Sequence, residues 1–205
     1  MIPKKLHFVW IGNESKRPND CIQTWIDKNP DYEVRIWGNE DLKATKWFNA
    51  RHMMEMAKHE LCGVADMMRY EILYNEGGIT LDADSVCLAP LEDWLLKPKA
   101  FAHWEQEHRR TGLINVSVMG AEKNNEFYGQ CIEDIKKKET VVDKRAWTNG
   151  DARYPTAAQG LCIWRSCRWP VVCAQEASCT GQRSTLLSVV SYHTASNSCL
   201  RLGPL

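Results

Sequence analysis

Two aspartates one residue apart, Asp82 and Asp84, directly follow a short apolar run that begins after a Gly-Gly pair. Side chains alternate along a strand, so both carboxylates can lie on the same side of the strand's end. Carboxylates this close repel each other unless a cation or a proton lies between them. Oxygen ligands of this kind suit Mg²⁺ or Mn²⁺, which often also bind substrate phosphates. The pair alone is equally consistent with a solvated turn after a buried strand.

A second pair of charged residues, Asp66 and Arg69, lies in a stretch (60–75) whose apolar residues recur at helical spacing. Residues three apart are neighbours on a helix, so the two side chains can pair. An exposed ion pair contributes little, but here apolar residues lie on nearly the same side of the helix, so the pair borders the core. There an aspartate can accept hydrogen bonds from sugar hydroxyls, and an arginine can donate to hydroxyl or phosphate oxygens.

Apolar strand patterns and helical patterns alternate along the chain, which predicts a layered α/β domain. We expect strands at 6–12, 32–37, 79–81, 86–88, 100–104 and 115–119, and helices from Pro18 and over 47–58, 60–75 and 127–138. Ligands bind beyond the carboxyl ends of strands in open α/β sheets, and both 10–12 and 82–84 follow such ends. Trp10 there is either a core residue or a flat platform for a nucleotide base.

Length and composition favour one soluble domain. The chain has 205 residues, which we assign to a single domain, and its formal net charge of zero argues against nucleic-acid binding. No signal peptide is visible, and no run approaches the roughly 18 apolar residues of a membrane span. We therefore expect a cytoplasmic protein that can work beside a membrane. Residues 161–205 differ in composition, with cysteine, serine and threonine frequent, and form a divergent tail.

Several segments together resemble one family. They are 2–12, Trp25 with 29–34, the long segment 65–84 (ADMMRYEILYNEGGITLDAD) and, more weakly, 112–121. These segments resemble the sugar-binding DXD glycosyltransferases, that is, glycosyltransferase family 32 with its capsule and lipid-linked mannosyl or galactosyl transferases. The clostridial glucosylating toxins are more distantly similar. The helix-to-DXD segment is specific to this resemblance, whereas an isolated Asp-x-Asp is not.

The resemblance implies a GT-A fold, a UDP- or GDP-sugar donor, a glycan or lipid-linked acceptor, a divalent cation (Mn²⁺ or Mg²⁺) and retention of anomeric configuration. By matching position, Trp10 would stack on the base, with backbone contacts from Val9 and Ile11. Asp66 and Arg69 would hold the donor sugar. The product would belong to glycan or polysaccharide synthesis.

The remaining site residues are also implied by matching position. Asp82 would contact the ribose and a metal-bound water, and Asp84 would ligate the metal directly. Tyr70 and Ala83 would complete the donor contacts, and Asn115 would lie near the sugar or acceptor. His193, in a segment only loosely similar to the family's C-terminal one, would add a metal or phosphate contact.

Two other functions fit part of the sequence. Residues 79–86 also resemble the strand-end motif of haloacid dehalogenase-type phosphatases, in which the first aspartate is a nucleophile. That motif normally lies near the start of its domain, and little acidic sequence remains after Asp151 to supply its partners. The second alternative is a binding module that keeps a donor pocket without a working acceptor site, which the unusual tail favours.

Overall fold

A computed structural model describes residues 1–104 and 114–142, together with two short strands at 172–173 and 189–191. Its main sheet has six strands in the order β2-β1-β3-β6-β5-β7. The strands are β1 Lys5–Val9, β2 Glu33–Trp37, β3 Gly78–Leu81, β5 Ala100–Trp104, β6 Ile114–Ala121 and β7 Val172–Cys173. Two further strands, β4 Ser85–Cys87 and β8 Val189–Ser191, pair antiparallel in a separate small sheet.

Strand directions change across the main sheet. β1 is parallel to both β2 and β3, whereas β6 is antiparallel to β3 and to β5. Strand β7 is parallel to β5. The sheet is therefore mixed. Because β1 and β3 run the same way, with Phe8 opposite Leu81, their carboxyl ends lie at one edge of the sheet.

Helices cover both faces of this sheet, which confirms the predicted α/β layering. They are α1 Asn19–Lys28, α2 Asn39–Ala44, α3 Ala50–Met56, α4 Cys62–Glu76 and α5 Glu126–Lys136. One core cluster joins Trp25 of α1 to Phe8 and Leu81. The other joins residues of α4 and α5, such as Met68 and Tyr128, to the opposite face. Alternate strand residues serve alternate cores, as the pleat requires.

The turn from α4 into β3 depends on two glycines. Gly77 and Gly78 both have positive φ, 67° and 101°, a backbone region that glycine reaches without steric cost. A Cβ on Gly77 would lie 2.7 Å from the Lys123 nitrogen, and one on Gly78 would lie 2.8 Å from the Lys5 carbonyl oxygen. The Gly-Gly pair thus lets a long helix reverse directly into the central strand.

Two boundary predictions need correction. The helix predicted over 47–58 begins only at Ala50, because the N–H groups of Phe48 and Asn49 just before it donate to the Glu71 carboxylate. The first strand ends at Val9 rather than residue 12. None of the described helices is long and apolar enough to span a membrane.

Candidate functional site

Helix α4 and the end of β3 bring three charged side chains together. Arg69 Nη2 lies 2.5 Å from Asp82 Oδ1, and Arg69 Nη1 lies 3.4 Å from Asp66 Oδ1. The same Nη1 donates to the Val116 carbonyl oxygen over 3.2 Å, which ties the group to β6. Spacing along the chain predicted the Asp66–Arg69 pair, and the structure adds Asp82 as a third member.

This cluster is buried, which distinguishes it from an ordinary surface ion pair. The side chains of Asp66 and Arg69 are only 6% and 8% exposed, and that of Asp82 is 24% exposed. Removing charges from water costs several kcal/mol per ion unless attraction and hydrogen bonds offset the loss. A cluster of this kind is therefore weak support for stability, and it indicates a binding role more readily than a structural one.

Two atoms of the cluster lack the partners that burial demands. Among the described residues, neither Asp66 Oδ2 nor Arg69 Nε, both buried, has a hydrogen-bond partner. Burial raises the pKa of Asp66 to about 6, with Arg69 acting to lower it and Asp82 to raise it. A buried acceptor and a buried donor side by side are the complement of a ligand with hydroxyl and phosphate oxygens.

The turn after β3 holds the two motif aspartates in different environments. The Asp82 N–H donates to the Ser117 carbonyl over 2.9 Å, and the Asp82 carbonyl accepts from the Ser85 hydroxyl over 2.6 Å. Asp84 is exposed in this turn. Burial, and then the charge of Asp84, raises the pKa of the Cys21 thiol, so Asp84 lies within electrostatic reach of α1.

Trp10 lies at the same edge of the sheet, just beyond the end of β1. Its backbone N–H donates to the Trp37 carbonyl over 2.9 Å, and its ring Nε1 donates to the Asn13 carbonyl over 3.0 Å. The ring is half-buried against the cluster that contains Trp25. The orientation of the ring is thus fixed, and part of its surface stays exposed. Residues 10–12 and 82–84 follow the ends of the parallel strands β1 and β3 and so lie at the same edge of the sheet, as predicted.

Comparison with known proteins identifies this arrangement. Residues 15–101 match the family described as "Glycosyltransferase sugar-binding region containing DXD motif". The chain carries a DXD glycosyltransferase region. The match spans Asp66, Arg69, Asp82 and Asp84, and it favours the transferase over the phosphatase alternative. Trp10 and Asn115 lie outside it.

Curated relatives of this glycosyltransferase region extend the similarity over about two thirds of the chain. The "Subversion of eukaryotic traffic protein A" of Legionella pneumophila is 28% identical over 72% of this chain and 27% of its own length. "Inositol phosphoceramide mannosyltransferase 3" of Schizosaccharomyces pombe is 32% identical over 66% of this chain and 38% of its own length. The chain therefore spans well under half the length of these relatives.

A solved structure confirms the fold of the glycosyltransferase region. The "PaToxG Glycosyltransferase" superposes with a TM-score of 0.56 at 17% identity, covering 77% of this chain and 65% of that one. At this identity the likeness concerns the fold alone. The mixed sheet flanked by helices is thus the expected GT-A-type architecture, and assignment of all 205 residues to one domain stays a prediction.

The other predicted donor contacts take varied positions. Val9 and Ala83 are buried and Ile11 is half-buried. Tyr70 is buried in the core, with its ring centroid 6.0 Å from that of Tyr128. Asn115 precedes Val116, and its Oδ1 accepts from the Ser117 N–H over 2.7 Å, which places it beside the cluster. His193 lies outside the described residues.

Sequence reasoning missed some residues that the site uses. The Val116 carbonyl accepts a hydrogen bond from the Arg69 side chain, and the Ser117 carbonyl accepts one from the Asp82 N–H. No sequence pattern predicts a backbone acceptor on a distant strand. Glu60 was also missed. It is buried directly before α4, and Asp66 is a charge near enough to raise its pKa. A glutamate that opens a helical pattern is ordinarily solvated.

Proposed function

We propose that this chain transfers a sugar from a nucleotide-sugar donor to a hydroxyl of a glycan or lipid-linked acceptor, with retention of configuration. The observation that carries the proposal is the buried Asp66–Arg69–Asp82 cluster, in which Asp66 Oδ2 and Arg69 Nε have no partner among the described residues. A donor sugar supplies the missing groups, because its hydroxyls can donate to the carboxylate and accept from the guanidinium.

The nucleotide end of the donor would lie against β1. Trp10 offers a half-buried ring, fixed by its Nε1 hydrogen bond to Asn13, on which a uracil or guanine base can stack. Backbone groups of Val9 and Ile11 flank that ring. The sugar would lie toward α4, where Asp66 and Arg69 orient it so that an acceptor hydroxyl approaches the anomeric carbon in a fixed geometry.

The motif aspartates fit a hard divalent cation shared with substrate phosphates. No group of three histidine, cysteine, aspartate or glutamate side chains that could hold a metal occurs in the part of the chain that the structure describes. Mg²⁺ and Mn²⁺ do not need one, since they often take one or two carboxylates and complete their shell with water and phosphate. Exposed Asp84 would be the direct ligand, and Asp82, half-buried and paired with Arg69, would be the second, through a metal-bound water. Bound there, such an ion neutralises charge on the diphosphate leaving group.

The relatives guide the choice of donor. One of them is named a mannosyltransferase that acts on inositol phosphoceramide, so we propose a hexosyl donor and test GDP-mannose beside UDP-glucose. The acceptor hydroxyl would then belong to a glycan or to a lipid headgroup. A non-catalytic module with the same pocket is separated from an enzyme by measuring turnover.

The experiment compares wild-type protein with Asp84→Asn in thermal unfolding and calorimetry, using GDP-mannose and UDP-glucose with and without Mn²⁺. A ligand that binds only the folded state raises its stability, so we expect a Mn²⁺-dependent increase of the unfolding midpoint in the wild type. Asp84→Asn should weaken nucleotide-sugar binding in Mn²⁺ by about tenfold or more, because one of two anionic ligands is lost.

Asp93→Asn is the matched control, since Asp93 is exposed and paired only with Lys4 among the described residues, at 3.3 Å. It should bind as the wild type does. Normal Mn²⁺-dependent binding by Asp84→Asn would refute the metal role. A wild type that binds no nucleotide sugar would refute the proposed function, and binding without release of nucleoside diphosphate across a panel of sugar and glycolipid acceptors would identify a binding module.

A further inference from the structure

Glu60 has a buried carboxyl group with no evident structural role. It lies between α3 and α4 and is only 7% exposed. Its Oε2 atom is buried and has no hydrogen-bond partner within the described residues. A buried charged group without a partner costs more than a typical hydrogen bond contributes. Such a position therefore requires an explanation beyond folding.

The position of Glu60 relative to α4 directs it toward the sugar end of the site. Its Oε1 atom lies 3.2 Å from the point where a Cβ on Gly63 would be. Gly63 is three residues before Asp66, hence one turn earlier on the same face of the helix. The charge of Asp66 acts on the pKa of Glu60, so the two carboxyls lie near each other. Because Gly63 has no side chain, it leaves room there for both Met56 and Glu60.

The neighbouring residue connects this position to the nucleotide end. Leu61 Cδ1 lies 2.8 Å from the point where a Cβ on Gly12 would be, so the segment before α4 packs against the loop that follows β1. Trp10 begins that loop. The segment that carries Glu60 therefore packs beside the loop that carries the proposed base platform.

A structural role as a helix cap does not account for Glu60. Helix α4 begins at Cys62, and its N-cap residue, Leu61, makes no side-chain capping hydrogen bond. Burial, and then the charge of Asp66, raises the pKa of Glu60 to about 7. Both effects oppose the charged form, and no described cation offsets them. This pattern is typical of groups that await a ligand.

We propose that Glu60 is a specificity residue of the donor pocket, which accepts a hydrogen bond from a hydroxyl of the donor sugar and disfavours sugars that carry a carboxylate. The inference rests on the proposed function, because it needs a nucleotide sugar in the site. At the sugar end, the carboxylates of Asp66 and Asp82 pair with the guanidinium of Arg69, and the Glu60 carboxyl lies near that of Asp66. A neutral hexose is compatible with this acidic part of the pocket, whereas the carboxylate of a uronic acid would be repelled by it.

The experiment separates sugar recognition from nucleotide recognition. Calorimetry in Mn²⁺ measures Kd for UDP and UDP-glucose, and for GDP and GDP-mannose, with Glu60→Met and Glu60→Gln. We expect Glu60→Met to weaken binding of the nucleotide sugar by about tenfold, because a hydrogen bond to a charged group is lost. Affinity for the matching nucleoside diphosphate should not change. Glu60→Gln keeps an acceptor and should recover most of the loss.

Charge is tested with UDP-glucuronate. The wild type should discriminate against it relative to UDP-glucose, and Glu60→Gln should reduce that discrimination several-fold because a like charge is removed. Exposed Glu133 on α5 supplies the control, since Glu133→Gln should alter neither ratio. The unfolding midpoint without ligand should stay constant or rise in Glu60→Gln.

Each remaining outcome overturns the inference. Equal Kd values for the nucleotide sugar in wild type and Glu60→Met would exclude a sugar contact. Equal weakening of nucleoside diphosphate and nucleotide sugar would place Glu60 in general support of the pocket. If the wild type binds nucleotide sugars and both Glu60 variants bind them equally well, only this inference is contradicted. If the wild type binds no nucleotide sugar, the proposed function is contradicted as well.

Discussion

Glu60 and Glu71 are both buried glutamates, Glu60 just before helix α4 and Glu71 within it, and their carboxyl groups differ in hydrogen bonding. Glu71 is fully buried, and its two oxygens accept the backbone N–H groups of Phe48 and Asn49 over 2.6 and 2.8 Å. Glu60 Oε2 has no partner among the described residues. Burial raises the pKa of each to about 7, and only for Glu71 do backbone hydrogen bonds oppose the rise.

This difference distinguishes a buried carboxyl that stabilises the fold through hydrogen bonds from one that makes no such contribution. Glu71 fixes the segment before α3, because it satisfies two N–H groups that the start of the helix leaves unpaired. The Glu60 Oε2 atom accepts no hydrogen bond from the described residues. A buried titratable group with all its partners supports stability, whereas one without partners indicates where a ligand belongs. Each prediction below tests that distinction with a matched pair of residues.

Among the buried titratable groups, the largest effect on stability is expected from Glu71→Gln. The amide can accept only one of the two N–H groups and turns its own NH₂ toward the other, so the free energy of unfolding should fall by about 3 kcal/mol. Urea denaturation near pH 8, where most of each carboxyl is ionised, measures this value. Glu60→Gln is the matched variant and should change it by less than about 1 kcal/mol. Similar losses in both variants would remove the distinction.

A second test uses His7, a buried group with both ring nitrogens occupied. Trp37 Nε1 donates to His7 Nδ1 over 3.2 Å, so His7 Nε2 carries the proton and donates to the Gly77 carbonyl over 2.9 Å. Burial is the main reason that the pKa of His7 falls from 6.5 to about 4, and the Gly77 hydrogen bond opposes it. The unfolded chain therefore takes up the proton that makes His7 cationic at a higher pH than the folded chain does.

The sign of the pH dependence follows from that lowered pKa. The contribution of His7 to stability is fully present above pH 6.5 and decreases as the pH falls toward 4. Between pH 8 and pH 5 the loss should be about 2 kcal/mol. His7→Gln does not titrate, so the difference in unfolding free energy between wild type and variant isolates this contribution from carboxyls of opposite slope. Parallel pH profiles would show that His7 is not held neutral.

The sequence predicted most elements because their signals are local. The apolar period of α4, the Gly77-Gly78 break and the short apolar run of β3 each lie within a few residues. The start of α3 could not be predicted in this way. It depends on Glu71, which is 22 residues from Asn49 and accepts its N–H. The antiparallel pairing of β3 with β6 likewise depends on contacts between distant segments.

The candidate site likewise contains residues that local sequence patterns predicted and contacts that only the folded structure shows. Spacing alone placed Asp66 beside Arg69, and the apolar run after the Gly-Gly pair placed Asp82 and Asp84 at the end of a strand. The partner of Arg69 on β6, the Val116 carbonyl, needed the folded sheet. Glu60 was assigned to the start of a helix, whereas α4 begins at Cys62. A single sequence does not reveal that a glutamate is buried without a partner.

Two tryptophans extend the distinction to aromatic residues, and only Trp10 is expected to give a small change in stability. Trp25 is fully buried, and its Nε1 donates to both Ser85 oxygens, at 3.1 and 3.2 Å. Trp10 is half-buried at the sheet edge. Trp25→Ala should cost about 4 kcal/mol of unfolding free energy, whereas Trp10→Ala should cost about 1 kcal/mol.

Binding should show the reverse order. Stacking of a base on an aromatic ring contributes about 1–3 kcal/mol, so Trp10→Ala should weaken UDP or GDP binding by about tenfold or more in calorimetry. Because the base is shared by nucleoside diphosphate and nucleotide sugar, both Kd values should rise together, unlike those of the Glu60 variants. Unchanged affinity in a folded Trp10→Ala protein would exclude stacking. A stability loss equal to that of Trp25→Ala would make Trp10 a core residue, and the exposed part of its ring would then carry no functional meaning.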